Sequence, residues 1–255
     1  MKRTLFAATA LAALSLTACK KDKDNETTGG GTPAQQYLKK FTETQNGVAT
    51  VFTLTYDNQH RLLNFRNADN SETTAFTYDA TGNLVKVEET EPNFFNVYTY
   101  TYANGKPATA TFKSWQRAAG QPDQLFEDDV LTYTVTNNRV SAIHLEMLQD
   151  GDESDFNLTY NADGELAEAR DGQGLYKANF TYGTHKSAFP SISPWILDQA
   201  GFSLLFYSRH ELLSTAYDFP GTALDRTETT TYTFNAAGYP STATRGSVTT
   251  TFEYE

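Results

Sequence analysis

The sequence predicts an all-β protein: an antiparallel meander of short hairpins that curls into an open, barrel-like sheet, with one helical insertion near residues 190–217. Three observations carry this expectation. A unit of the form aromatic-Asp/Asn-x-x-Gly-x-Leu recurs along the chain, threonines alternate with aromatics beside it, and the 255 residues include 17 Phe and 15 Tyr. A fixed period is read before any local feature, and large twisted sheets curl or split.

The N-terminus comes first. It reads Met1-Lys2-Arg3, then an apolar run from Leu5 to Leu16, then Leu16-Thr17-Ala18-Cys19. A basic start, a short apolar core and small residues before a cut site make a secretory signal. The run is shorter than the roughly 20 residues of a permanent span. Leu-Thr-Ala-Cys resembles the lipobox of bacterial lipoproteins. The resemblance implies that residues 1–18 are a signal peptide and that Cys19 becomes the lipidated first residue of the mature chain, with the membrane as a partner through that anchor. Several acyl chains on one residue hold firmly, each buried methylene contributing roughly 0.8 kcal/mol. In such lipoproteins Lys20 after the cysteine implies outer-membrane sorting. The tract from Lys20 to Glu26 is similar to the surface-export signals of Bacteroidetes lipoproteins, with lysines interleaved; the body then faces either the periplasm or the cell exterior.

Residues 19–36 read as the lipidated cysteine and a flexible tether, polar, with three glycines and a proline. Loss of Lys2 and Arg3 changes the net charge from -11 to -13, with 18 basic against 31 acidic residues. So acidic a body is held by lipid and not by charge, and a nucleic-acid partner gripped through phosphates is excluded. A single cysteine excludes an internal disulfide and a Cys-rich zinc site.

Residues 37–255 form the β domain. Phe76-Thr-Tyr-Asp-Ala-Thr-Gly82-Asn-Leu84 and Leu158-Thr-Tyr-Asn-Ala-Asp-Gly164-Glu-Leu166 show the unit whole, and Tyr232-Thr-Phe-Asn-Ala-Ala-Gly238-Tyr-Pro240 lacks only the leucine. Looser copies put the central residue at 56, 102, 135 and 182, besides 78, 160 and 234. In Tyr98-Thr-Tyr100-Thr-Tyr102 the three tyrosines share one strand face and the threonines the other. Asp or Asn bonds to the backbone ahead and Gly supplies positive φ, so Asp-x-x-Gly closes a turn. Leu84, Val85 and Val87, or Ile143, Leu145 and Met147, begin the returning strand. A meander of a dozen or more strands follows.

These units resemble the YD repeats of the RHS family, whose long arrays coil into shells. They are also similar to a family of Bacteroidetes lipoproteins whose domain of unknown function has a porin-like fold. That resemblance implies a lipobox, a polar tether, YD-like hairpins and one late helical insertion, and it carries no catalytic or binding residues.

Between Tyr182 and Phe234 the period breaks. Ser193-Pro194 reads as an N-cap with proline at the first helical position. Trp195, Ile196, Gln199, Phe202, Leu205, Phe206, Arg209, Leu212 and Leu213 follow a roughly helical spacing, which Gly201 would split into two helices. Such a helix either plugs the concave face of the sheet or packs on its outer face.

Signals for chemistry are sparse. His60, His144, His185 and His210 stand apart, His60 and His185 at turn positions, and no P-loop, dinucleotide fingerprint or Gly-x-Ser-x-Gly elbow is present; no cofactor or resident metal is expected. Asp150-Gly-Asp152-Glu-Ser-Asp155 departs from a Ca²⁺ loop in its glycine and closing glutamate and reads as a solvated hairpin tip. Trp115, in a polar stretch from Lys113 to Gln124 read as a long loop, is the candidate for stacking on a glycan. The face opposite the aromatics carries Thr53, Thr55, Thr77, Thr99, Thr101, Asn157, Thr159, Thr231 and Thr233. It suits water better than the lipid that a transmembrane barrel meets.

The expected function is a non-enzymatic, outer-membrane-anchored binding or interaction module for a glycan or protein ligand. The alternative is a hydrolase acting on cell-envelope or dietary polymers. Clustered buried carboxylates in a pocket would favour the hydrolase, and a smooth Thr-lined sheet without a pocket would favour the module.

Overall fold

The computed structural model describes residues 35–198 and 202–255. The signal peptide, Cys19, most of the tether, Gln199, Gly201 and the Phe202 side chain lie outside the described residues. Among the described residues, seventeen strands form one antiparallel sheet. They are β1 (Leu38–Gln45), β2 (Val48–Tyr56), β3 (Leu62–Asn67), β4 (Thr73–Tyr78), β5 (Leu84–Thr90), β6 (Phe94–Ala103), β7 (Lys106–Gln116), β8 (Gln124–Thr136) and β9 (Arg139–Met147). Then follow β10 (Asp152–Tyr160), β11 (Leu166–Asp171), β12 (Lys177–Lys186), β13 (His210–Asp218), β14 (Arg226–Thr229), β15 (Thr231–Phe234), β16 (Pro240–Arg245) and β17 (Val248–Tyr254). Strand β1 pairs with both β2 and β17, so the meander closes into a barrel. One seam remains. β14 pairs with β13 and β15 with β16, and only Thr230 separates them, so they are halves of one strand that changes neighbour midway.

The repeat builds this barrel by a fixed irregularity. In seven hairpins the register shifts immediately before the central residue of the unit: at Tyr56, Tyr78, Tyr102, Val135, Tyr160, Tyr182 and Phe234. The returning strand holds one extra residue there, which is a β-bulge. Inward positions then fall three apart, as in the buried pairs Leu84 and Val87, Val140 and Ile143, and Leu166 and Ala169. The extra residue turns outward: Leu63 and Leu213 are each 37% exposed. A bulge bends its strand and increases twist, which a sheet needs to close.

Past the bulge the next ladder has ended, and a tyrosine hydroxyl takes over. Tyr56 donates to the Leu38 carbonyl at 2.6 Å, Tyr78 to Leu62 at 2.9 Å and Tyr102 to Leu84 at 2.7 Å. Tyr160 donates to Val140, Tyr182 to Leu166, Tyr232 to Leu212 and Tyr254 to Pro240, at 2.8 to 3.0 Å. Each bridge contributes on the order of 1 kcal/mol and spares a carbonyl from burial without a partner. Tyr254 belongs to a further copy, Phe252-Glu-Tyr254, which the seven-unit reading omits. The turns are alike as well. Asp79 Oδ1 accepts from the Thr81 and Asn83 amides, and Asn235 Oδ1 from those of Ala237 and Tyr239. Gly82, Gly164 and Gly238 hold φ of 88°, 89° and 80°, and His60 adopts 58° in the equivalent place.

The insertion is the plug, and less of it is helical than its spacing suggests. Its helix is α1 (Phe202–Tyr207), whereas residues 210–218 form β13. The apparent helical step through Leu212 and Leu213 comes from the β13 bulge, which mimics a three-residue advance. Ser193 Oγ does accept the Trp195 amide at 3.1 Å, as at a helix start. However, Trp195, Ile196 and Leu197 are consecutive and all buried, which a one-sided helix does not permit. Phe206 meets Phe65 and Phe76 at 6.1 and 5.5 Å, and Phe189 meets Phe41 and Phe252 at 5.3 and 6.0 Å. On another wall, Tyr133 donates to the Leu197 carbonyl at 2.7 Å. Contacts to β1, β3, β4, β8 and β17 at once place the segment inside the barrel.

It enters from the end that carries the Asp/Asn-Gly turns. Lys186 N donates to Gly238 O, Tyr207 Oη to Gly164 O, and the Arg209 and His210 amides to Glu165 Oε1. Gln36 and Tyr37 lie at this end too: Asn235 Nδ2 donates to Gln36 Oε1 at 2.8 Å, and the Tyr37 ring stacks on His60.

Replacing Phe206 by Ala should lower unfolding free energy by about 3–5 kcal/mol, the cost of a large buried cavity, in chemical denaturation. Tyr78→Phe should cost about 1–3 kcal/mol, because the Leu62 carbonyl loses its donor. An unchanged transition midpoint in either variant contradicts its assigned role.

Candidate functional site at the open end of the barrel

With the turn end plugged, the opposite end keeps a cavity of about 240 Å³. Its apolar lining includes Phe41, Phe52 and Phe65 of the strands together with Phe189, Leu205 and Phe206 of the plug. Four carboxylates line it as well: Glu43 near the end of β1, Glu72 before β4, Glu89 near the end of β5, and Glu91 just beyond. The strand pattern explains their placement. Val87 and Glu89 are two apart and face Tyr98 and Asn96 across the β5–β6 pair, so Glu89 lies on the inner face.

Burial raises the Glu89 carboxyl to about 7, opposed by a hydrogen bond from Asn96 Nδ2 and reinforced by the charges of Glu91 and Asp198. Burial raises Glu43 too, and Glu72 adds to it while Arg245 counteracts. Further round the inner face, Asp129 is 3% exposed and faces Phe112 and Met147 across its neighbouring strands. Its carboxyl is raised to about 7 by burial and by the Glu127 charge beside it. Burial holds the Tyr98 hydroxyl well above its usual range, and Glu89, Asp198, Glu127 and Asp129 all add in that direction. These carboxylates therefore share one inner neighbourhood.

The residues singled out in the sequence lie elsewhere. Trp115 is on β7, not in a loop, because the hairpin strands run longer here than elsewhere; it pairs with Phe95 and Leu125, its ring 5.6 Å from that of Phe95. His185 is on β12, not in a turn, stacks on Phe234 and contacts Glu211. His210 contacts Glu165. In the acidic hairpin, Asp155 is on β10, where its Oδ1 lies 2.8 Å from His144 Nδ1. None of these lines the cavity. Glu89 does carry a sequence signal: a carboxylate at the apolar parity of its strand, as in Val87-x-Glu89.

Among known proteins, the RHS repeat family matches residues 56–93, from the end of β2 into the Glu91–Asn93 connection, so that stretch is similar to an RHS repeat. A crystal structure of a porin-like protein from Bacteroides vulgatus is similar over 87% of this chain and 99% of its own, with 12% identity and a TM-score of 0.45. A TcdB2-TccC3-Cdc42 structure aligns over 72% of this chain with 15% identity and a TM-score of 0.21. TcdB2-TccC3 without its hypervariable C-terminal region aligns over 77%, with 15% identity and a TM-score of 0.22. This chain spans 12% of each of those two. No curated protein matches.

The Glu89 shift has a stability consequence. Its folded value, about 7, lies above the ordinary 4.5, so the folded state holds the proton more tightly. The contribution is fully present below pH 4.5 and is lost as pH rises through about 7. Glu89→Gln should therefore raise the melting temperature at pH 8, by up to about 3 kcal/mol in free energy, and have little effect near pH 4. An equal effect at both pH values contradicts a buried, proton-retaining Glu89.

Proposed function

We propose that the chain is a non-enzymatic binding module, carried at the outer membrane by lipid on Cys19, with the open end of the barrel as its ligand site. The observation that carries this is the asymmetry of the barrel. Its own insertion fills the turn end, and the opposite end keeps a cavity with an aromatic floor and carboxylate walls. Gln36 and Tyr37 join the barrel at the plugged end, so a tether arriving there turns the cavity away from the membrane. The signal-like residues 1–18 and the lipobox-like Leu16–Cys19 support the anchor, and exposed threonines on the outer wall support a body held outside the bilayer.

A hydrolase remains the second reading, favoured by one observation: carboxylates do cluster inside, and Asp129 and Glu127 compete for a proton. Against it, those two stand two residues apart on the same face of β8, on one wall. General acid and base in glycoside hydrolysis flank the bond from two sides. The glycan or protein ligand expected from the sequence enters this proposal at the cavity and not at Trp115.

In a host that processes lipoproteins, the wild-type chain should sediment with outer membranes and need detergent for release, while Cys19→Ser should appear in the soluble fraction. A Cys19→Ser protein that still needs detergent contradicts the lipid anchor. A glycan polymer hydrolysed by the wild type and not by Asp129→Asn would establish the hydrolase in place of the module.

A further inference from the structure

We infer that the rim of the open end docks a basic, extended segment of another protein, one in which lysine or arginine alternates with apolar residues. The inference rests on the binding-module reading and names its partner class. Among the described residues ten large apolar side chains are exposed, and six of them stand at hairpin tips of the open end: Val48, Leu125, Phe126, Leu148, Leu175 and Leu224, each 40% exposed or more. A seventh, Leu205 of the plug, lines the cavity that these tips surround. None of the ten stands in the Asp/Asn-Gly turns of the plugged end. Neighbouring tips touch one another along an arc. The Phe94 and Phe126 rings lie 6.1 Å apart, Leu148 N donates to Asp128 O at 2.8 Å, and Gly172 N donates to Asp155 O at 2.6 Å. Tyr176 of the β11–β12 tip then meets Phe219 of the β13–β14 tip at 5.5 Å. Apolar side chains scattered singly need no explanation, but gathered along one rim they mark a docking surface.

Charge and backbone select the occupant. The strand connections at this end hold six carboxylates, Asp69, Glu72, Glu91, Asp123, Asp150 and Asp225, against one cation, Arg117, itself paired with Asp123 at 3.2 Å. A second copy brought rim to rim would set these carboxylates against one another, and an anionic lipid surface would be repelled. A basic partner is complementary. The backbone points the same way independently. β8 pairs with β7 from Gln124 onward but with β9 only from Asp129, and Leu148 N reaches no further than Asp128 O. Among the described residues, therefore, no strand pairs with the second side of Gln124–Glu127, the stretch that carries exposed Leu125 and Phe126. Hydrocarbon does not accept an open strand edge. An extended peptide completes one with main-chain hydrogen bonds and sets alternate side chains on the apolar and acidic parts of the rim.

Fluorescence anisotropy of labelled synthetic decapeptides, titrated with the full-length Cys19→Ser protein, tests this. A peptide of alternating lysine and valine should bind saturably, about tenfold or more tighter than one of alternating glutamate and valine or of alternating lysine and serine. Its affinity should fall as salt is raised. Adding Phe126→Ser and Leu148→Ser should cost about tenfold in affinity. Adding Leu63→Ser and Leu213→Ser, exposed leucines of the outer wall, should leave binding unchanged. Melting transitions show both variants to be folded. The inference is overturned if the lysine–valine peptide gives no saturable signal, if the lysine–serine peptide binds as well, or if the rim variant binds as its parent does. It is overturned too if phosphatidylcholine vesicles pellet the parent and not the rim variant, or if sedimentation shows a dimer that the rim variant dissolves. The two readings fail separately. Saturable binding of cellobiose with none of the peptide discards the basic partner and leaves a binding module, whereas polymer turnover lost in Asp129→Asn discards the module itself.

Discussion

A single carbonyl, left without a ladder partner in every repeat, is the constraint on which the rest of the barrel depends. The Asp/Asn turn returns the chain with one residue too many, and the bulge that absorbs it bends the strand. At Leu62, Leu84 and Leu166 this puts a backbone carbonyl beyond the end of the following ladder, and the hydroxyls of Tyr78, Tyr102 and Tyr182 reach it. The same tyrosine ring fills the interior beside the leucine. Bend, hydrogen bond and core thus come from one short motif, and a meander of such hairpins curves steadily enough for β17 to meet β1.

That curvature leaves an interior that strand side chains do not fill, and the insertion supplies the rest. Where Val135 stands in place of the repeat tyrosine, the nearby Tyr133 turns its hydroxyl to Leu197 of the plug. Glu165 and Glu211 fasten the two ends of the insertion, Glu165 by accepting the Arg209 and His210 amides and Glu211 by accepting the amide of His185. Charge is distributed accordingly. At the plugged end these carboxylates are satisfied by backbone donors. Burial raises the carboxyl of Glu89 at the open end, where the cavity floor is apolar, and that of Asp129 further round the inner wall. The plugged end of the enclosed space therefore serves stability, and the open end keeps carboxylates beside aromatic rings.

Much of the fold was legible. The alternation Tyr98-Thr-Tyr100-Thr-Tyr102 gives the inward and outward faces, and Asp79-x-x-Gly82 gives the turn, because both are local properties of a strand and a backbone angle. The bulge was not legible, since nothing in Leu84-Val85-Lys86-Val87 marks Val85 as the residue without a partner. At Leu212 and Leu213 the same bulge imitates a helical step, and β13 was read as helix for that reason. The site was less legible still. Glu43, Glu72, Glu89 and Glu91 are four among 31 acidic residues, and they meet only because β1, β4 and β5 end on the same rim. Trp115 drew attention as an aromatic in a polar stretch, but its position was decided by how far β7 and β8 extend.

By itself, the sequence determined the strand period, the turn chemistry, the aromatic inner face and the threonine outer face, because each depends on residues within one hairpin. Only the tertiary structure decided that the ring closes, that the insertion goes inside rather than outside, and which end stays open. Those outcomes depend on small bends accumulated over seventeen strands and on contacts between residues far apart in the chain. The distance from Gln36 to Asn235, bridged by one hydrogen bond, is the plainest instance.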